Sequence, residues 1–593
     1  MPASSRSFPI APFLRWQVRQ YRIGGRFLII NYGEDACPPD LDADICIIGA
    51  GVAGLSVARS FIGTTVTVCI VAGGGMEAEE RYQALYGGSS IGCPPFDPAA
   101  SRMRAFGGTC NLWGRGCIPL GNALDQRDWI PHSGWPVTYA ELEPDYRKAR
   151  AFCGLDSHDF AKGSFVTPPE LAPLDFDERT LVNRIFAASP VHFGSAYRSE
   201  FEQASNVQVL LHANLTELMA TPGGSAVEEA RIATLDGKRG RVRARHFVLA
   251  AGGIENARLL LLSDSVVPQG LGNDRDVVGR YFMDHPSGKL GAIVTDTPEA
   301  LTRPYDRNLA RSPVPSHPEI CLSEEAQQEH LILNARIRPF AVEGSVPKGI
   351  QALRGLKAAR RAKSRDWELS LKEQLCVRHN GEPQYIQEVV PPTESTARLA
   401  MDLALGVGDI ARAAGRKLAG KPTVRTDRVD VVGYFEQAPN PASRVTLGND
   451  TDALGLRRVC VDWRLNALDM HTYRTAARLF GDELARVCNG RFELEPWLRA
   501  DDNPVPQVFG TSHHMGTTRM SDDPASGVVD RDCKVHGVDN LHVAGSSVFP
   551  AGGWAFPTFT IVALGLRLAG HLRARLEQSP LELAEVPVRQ AVA

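Results

Sequence analysis

The alternation of hydrophobic and polar positions changes period several times along this chain, and each change predicts an element. Asp44-Ile45-Cys46-Ile47-Ile48 is an apolar run behind one acid, the pattern of a strand buried on both faces. It ends at Gly49-Ala50-Gly51-Val52-Ala53-Gly54 and opens onto a helical pattern over 55–61. A second apolar run over 65–74 closes on Gly73-Gly74 and predicts the next strand. Further on, 207–211 and 245–250 read as strands, the latter followed by Ala251-Gly252-Gly253 and a helix over 254–262. Near the C-terminus, 540–545 reads as a buried strand and 558–572 as a long apolar helix. Strand, glycine turn and helix thus recur in the order that a doubly wound parallel sheet requires. The intervening character differs. Residues 1–40 lack a period, end in Cys37-Pro38-Pro39-Asp40 and predict an arm; 77–160 are rich in Gly, Pro and Trp and predict long functional loops. From 290 to 500 the strands are interrupted by Pro, and 351–372 is a basic helical stretch read as a solvated face.

The first glycine turn carries chemistry. In a GxGxxG sequence between strand and helix, Gly49 permits the tight turn, Gly51 lets the backbone approach a pyrophosphate, and Gly54 lets helix and strand pack closely. Phosphates then sit on the unpaired N–H groups of the helix start. The carboxylate that usually ends the second strand and binds a ribose is missing, since that position is Val71. Glu77, Glu79 and Glu80 follow in the loop and read as solvated charges.

Composition narrows the class. With 65 basic and 68 acidic residues the 593-residue chain has a net charge of −3, which argues against nucleic acid as a partner. Its hydrophobic content of 43% is ordinary for a globular protein. No apolar run approaches the ~18 residues of a membrane span, and no secretory signal is visible. The twelve Cys have no paired CxxC spacing, so no metal is expected, and a reduced, cytoplasmic setting is the expectation. Cys110 and Cys117 read as inert thiols.

Eight segments in order resemble the glucose-methanol-choline (GMC) family of FAD-dependent oxidoreductases, nearest to its bacterial sugar-oxidising branch. They are IIGAGVAGL at Ile47, RAFGGTCNLWG at Arg104, SGWP at Ser133, FVLAAGGIENARLLL at Phe247, GRYFMDHP at Gly279, EQAPNPASRVTL at Glu436, SHHMGTTRM at Ser512 and GVDNLHVAGSSVFP at Gly537. The resemblance implies an α/β chain: a Rossmann-like FAD-binding domain with an interleaved α+β substrate-binding domain built on an antiparallel sheet. It implies FAD-binding segments at 41–290 and 501–575, a substrate-binding segment at 291–500 and a tail at 576–593. It maps the general base onto His514, with His513 as the weaker candidate because a neighbour in extended chain points the other way. The family's second polar group, an Asn or His before Pro, falls on Phe556, which can neither donate nor accept a hydrogen bond. Leu112 stands where relatives with covalently bound flavin carry His, so FAD is expected to be non-covalent. Flavin contacts are expected from Gly107, Gly108, Asn111 and Leu112. Adenine is expected near Ala213, and the rest of the cofactor near Ala251, Gly252, Gly545, Ser546, Pro557 and Thr558.

The implied reaction is oxidation of a hydroxyl on a sugar, polyol or secondary metabolite, by a dehydrogenase rather than an oxidase, with an electron acceptor the sequence does not identify. The alternative is a flavoprotein that has given up alcohol oxidation for cyclisation, desaturation or another reaction on an apolar intermediate. Phe556 would then form an apolar wall with Trp554 and Phe559.

Overall fold

The computed structural model describes residues 22–578 apart from 24–25, 35–36, 93–94, 157–159, 161–170, 307–315, 364–394, 420 and 500–505. One eight-stranded sheet runs Asn214–Ala220, Val227–Ala233, Arg239–Leu249, Asp40–Ile48, Val68–Val71, Val207–Leu211, Ile29–Asn31, with Leu541–Val543 added beside the end of Arg239–Leu249. The first three strands pair antiparallel and the others parallel. Burial on both faces explains the unbroken apolar runs, and Ile45, Cys46 and Ile47 are wholly buried. The helix Val52–Arg59 packs on Thr558–Gln578, which in turn packs on Tyr139–Phe152.

A second eight-stranded sheet is antiparallel throughout. It runs Arg491–Leu494, Pro286–Val294, Thr426–Phe435, Ala335–Glu343, Ser316–Leu322, Leu181–Ala188, Gly116–Cys117, and Phe509–Gly510 joins the start of Pro286–Val294. Alternation gives it two unlike faces. Ile293, Ile320, Ile337, Val429 and Val431 form a core with Tyr473, Ala477, Phe480 and Leu484 of the helix Ala467–Cys488. Asn466 and Asp469 start that helix with a reciprocal capping box. The opposite positions bring Phe186, His317, Glu319, Arg336 and Tyr434 into register.

Three expectations change. The residues read as an arm supply Ile29–Asn31, an edge strand whose two isoleucines are buried beside Val207–Leu211; three residues are too few to display a period. The rest of that segment up to residue 21 lies outside the described residues. The loops over 77–160 contain the 14-residue helix Tyr139–Phe152, whose buried Leu142, Tyr146, Ala149 and Phe152 were masked by Pro144 and the charges between them. Thr138 and Glu141 cap its start. The second sheet also draws Gly116–Cys117 and Leu181–Ala188 from the segment expected to serve the dinucleotide domain. The basic stretch begins in the helix Lys348–Lys363, where Arg354 pairs with Glu343 at 2.7 Å; residues 364–372 lie outside the described residues, as does the tail from 579. Among the described residues, no helix is long and apolar enough to cross a membrane.

Candidate active site

A cavity of about 330 Å³ runs from the first glycine turn to the charged face of the antiparallel sheet. Gly49 takes φ +114°, closed to residues with a Cβ, and a Cβ there would strike the Ala250 carbonyl. At Gly54 an added Cβ would overlap the Gly49 carbonyl, so this glycine serves packing and does not line the cavity. Gly51 differs. A Cβ there would meet nothing nearer than the Gly108 Cα at 4.0 Å, so the protein leaves open the space over the turn. The helix Val52–Arg59 starts there without a side-chain cap and without an acid in its first turn, so its first amides face the cavity unopposed. That is the cradle an anionic dinucleotide fits. The longer helix Thr558–Gln578 also begins at the cavity, through Pro557 and Thr558.

Most residues expected to bind the cofactor meet here: Gly49, Gly51, Gly108, Ala213, Ala251, Gly252, Gly545, Ser546, Pro557 and Thr558 all line the cavity. Gly107, Asn111 and Leu112 do not. Asn111 turns back to donate to the Phe106 carbonyl at 2.9 Å, which braces the turn, and Leu112 packs with Met103 in a small apolar cluster. Cys110 does line the cavity, its thiol pushed up to about 12 by burial. Glu79, read as a solvated charge, bonds His212 Nε2, while His212 Nδ1 meets Asn31 Oδ1 at 2.7 Å and Tyr82 stacks on the ring. The acid that reaches the cavity is instead Glu255. It is buried between Arg102, at 3.2 Å, and Arg258, at 2.8 Å; although burial alone would raise it, these guanidiniums hold its carboxyl down at about 2.

The two adjacent histidines divide. Met515 pairs antiparallel with Met283, and the two histidines before it have different ring neighbours. His514 lines the cavity, its ring lies 5.4 Å from Phe96 and 5.7 Å from Phe282, and its carbonyl accepts from Ser546 Oγ at 2.7 Å. The His513 ring sits 5.4 Å from Phe556, and its Nδ1 lies 2.9 Å from His285 Nδ1 and 3.0 Å from Thr511 Oγ1. Both histidines expected as candidates for the base thus line the cavity, with aromatic rings around the first and a polar bracket on the second. The Thr511 hydroxyl has its own acceptors, Asp284 Oδ1 at 3.2 Å and the His285 carbonyl at 3.1 Å, which leaves its lone pairs for a proton on His513 Nδ1. That assignment puts the basic lone pair of His513 on Nε2.

Asp284 organises this bracket. Its carboxylate accepts from the backbone N–H groups of His285, Thr511, Ser512 and His513 at 2.7 to 3.3 Å, and holds Ser512 at φ +62°. Burial pushes its carboxyl up to about 6 against those donors. His285 is pushed down to about 4, first by burial and then by the charge of Arg336. Being neutral near pH 7, it can accept from His513.

Phe556 is half-buried and lines the cavity among Phe186, at 5.0 Å, His513 and the Arg336 guanidinium, at 4.9 Å. Sequence reasoning missed Asp284, His285, Thr511, Glu255, Arg336 and Arg338. A signal existed for the last two: Arg at alternate positions of Ala335-Arg336-Ile337-Arg338 marks a strand with one charged face.

Comparison with known proteins gives a consistent family picture. Residues 439–565 match the family model described as GMC oxidoreductase. The fructose dehydrogenase large subunit of Gluconobacter japonicus is 27% identical over 344 residues, covering 57% of this chain and 49% of that protein. The 2-methyl-1,2-propanediol dehydrogenase of Mycolicibacterium austroafricanum is 26% identical over 363 residues, covering 60% and 53%. A C-glycoside 3-oxidase of Microbacterium trichothecenolyticum is 44% identical over a shorter 127 residues, covering 21% and 23%. The chain thus spans about half the length, or less, of the curated relatives it matches. Among solved structures, formate oxidase superposes with a TM-score of 0.53 at 18% identity, covering 91% of this chain and 100% of that one. Pyridoxine 4-oxidase from Mesorbium loti does so with 0.51 at 16%, covering 90% and 99%. At these identities the structural likeness is one of fold.

Proposed function

Taking as premise that the chain belongs to the GMC oxidoreductase family, we propose that it binds FAD and oxidises a hydroxyl group of a small sugar, polyol or secondary metabolite. When bound, FAD supplies the two-electron acceptor for the hydride leaving the substrate carbon. The chain supplies the rest. The open space over Gly51, Gly252 and Gly545 and the two helix starts at Val52 and Thr558 hold the cofactor's phosphates and polar chain. With Leu112 turned into an apolar cluster and Cys110 held as a neutral thiol, the cofactor is non-covalent, and acid precipitation should release all of it into solution.

His513 takes the hydroxyl proton on Nε2. The observation that carries this reading is the bracket on its other nitrogen: Thr511 and a neutral His285 receive the Nδ1 proton, fix the tautomer and aim the ring along the cavity wall. Phe556, backed by the buried Phe186, excludes water at that wall and strengthens the electrostatics around the base. Relatives named for fructose, 2-methyl-1,2-propanediol and a C-glycoside support a hydroxyl-bearing substrate. The two longer matches are named dehydrogenases, which favours an electron acceptor other than O2. The alternative, an apolar intermediate processed without alcohol oxidation, sits poorly with a buried guanidinium at the same wall. The decisive experiment is anaerobic mixing of the FAD-loaded protein with a panel of polyols, sugars and hydroxy acids. Loss of oxidised-flavin absorbance with at least one of them is expected; a panel that leaves the spectrum untouched would reject hydroxyl oxidation.

A further inference from the structure

A row of three histidines joins two strands of the first sheet to the long helix packed on it. His246 belongs to the strand Arg239–Leu249, His542 to its neighbour Leu541–Val543 and His571 to the helix Thr558–Gln578. The His246 and His542 rings are 5.7 Å apart, and the His542 and His571 rings 5.8 Å apart. His542 is wholly buried, and neither of its ring nitrogens has a hydrogen-bond partner among the described residues. The same holds for His246 Nδ1 and His571 Nε2, while His571 Nδ1 reaches Asp532 at 3.8 Å. A neutral imidazole carries one N–H, so the centre of the row leaves a buried donor unmet.

The charged groups facing the row are Asp44 and Arg245 on the strands, Asp530, Asp532 and Lys534 in the segment before Leu541–Val543, and Arg567 and Arg575 on the helix. Burial first, and then Arg575, Arg245 and His571, push His246 down to about 4, against the pull of Asp44. Burial and the charges of His246, His571, Arg575 and Lys534 hold His542 well below the ordinary histidine range. Burial also lowers His571, although Asp532 opposes it. The closed row therefore refuses protons that a solvated histidine takes up near 6.5. Below that pH an opened form binds more protons than the closed one, so closure is fully stable above 6.5 and weakens as pH falls. Two protons taken up on opening raise the opening constant roughly 100-fold per pH unit.

Each element of the row runs into the cofactor cradle. Ala250, Ala251 and Gly252 follow the strand of His246, Gly545 and Ser546 follow that of His542, and the helix of His571 starts at Thr558; all of these line the cavity. We propose that the three histidines are an acid-opened latch: as they take up protons, the helix Thr558–Gln578 lifts from the sheet and the nucleotide cofactor is released. The side chain of His571 is 26% exposed and that of His542 is closed to water, so the first proton arrives at the helix and the inner rings follow as it lifts. Release of the cofactor rests on the reading of the cavity as an FAD site; the opening of the helix does not.

The test follows two signals in the FAD-loaded protein as pH falls from about 7 to about 5: hydrogen exchange of the backbone amides in Thr558–Gln578, corrected for its intrinsic pH dependence, and fluorescence of free flavin. Both should rise together, exchange by roughly 100-fold per pH unit, while the helix Ala467–Cys488 on the second sheet stays protected. His542→Phe keeps a ring in the slot without its proton and should flatten the rise by about tenfold per pH unit. His571→Gln, at the exposed end of the row, should flatten it likewise and guards against a first variant that fails to fold. Exchange that does not rise, a rise equally steep in a folded variant, or joint loss of protection in Ala467–Cys488 overturns the latch. Helix opening with flavin still bound overturns the coupling to the cofactor. If the helix opens as expected in a protein that takes up no FAD near pH 7, the latch stands and the cofactor reading falls.

Discussion

The two ends of the cavity are built from different material. At the dinucleotide end the working groups are backbone: amides at a helix start, and glycines whose missing side chains leave room for a ligand. At the substrate end they are side chains carried by separate segments, with Asp284 and His285, Thr511 and His513, Arg336 and Arg338, Tyr434 and Phe556 converging from remote parts of the chain. A site made of backbone depends on several short local runs, each a glycine turn or a helix start. One made of side chains depends on sheet register, and a single residue's slip would carry Arg336 to the apolar face.

The largest expected effect separates the adjacent histidines. His513→Ala should lower turnover by ~100-fold or more while the protein keeps its flavin and fold, because it removes a positioned proton acceptor. His514→Ala should leave turnover within a few-fold of the parent and lower the melting temperature, since it empties a packed slot between Phe96 and Phe282. The reverse pattern in steady-state kinetics would return the base to His514. Next come the glycines. Gly54→Ala should impair folding itself, whereas Gly51→Ala should fold normally and lose roughly tenfold in FAD affinity, on the order of 1.4 kcal/mol. Equal melting and equal FAD retention in the two variants would erase the distinction between packing and cradle.

The smallest effect is on pH. His285 has its folded pKa lowered to about 4 from an ordinary 6.5. Between these values the unfolded chain binds the extra proton, so stability rises with pH and the contribution is complete above 6.5. Asp284, raised to about 6, acts in the opposite sense, losing stability as pH rises from about 4 to 6. His285→Gln leaves that opposing slope in place, so the difference between variant and parent isolates the histidine. The variant's melting temperature should climb less between pH 4 and 6.5, and an unchanged climb would mean that His285 is not held neutral.

Legibility in the sequence followed the same divide. The strands at 207–211 and 541–543, the turn at Gly49 and the helix starting at Thr558 could be read directly, because each is specified by its own period and its own glycines or threonine. The pair of histidines was visible, but the surroundings of each ring were not: Phe282 beside His514 and His285 beside His513 come from a segment more than two hundred residues away, joined here by Met283 pairing with Met515. Asp284 and His285 lay inside a segment noticed only for its resemblance. Arg336 was overlooked because an arginine in a strand signals solvent until the neighbouring strand supplies Glu319 and Tyr434. Glu255, at a helix start, was invisible for the same reason.

One peptide bond joins the two ends of this architecture. His513 is fastened through Asp284 and His285 to the antiparallel sheet, and His514, one residue on, is fastened through Ser546 to the turn after Leu541–Val543. Successive Cα atoms are fixed about 3.8 Å apart, so the dipeptide works as a rivet between two plates. A substitution at the alternate positions of the antiparallel sheet, 336, 338 and 434 among them, therefore reshapes the far wall of the cavity without touching the peptide bond that links its two ends.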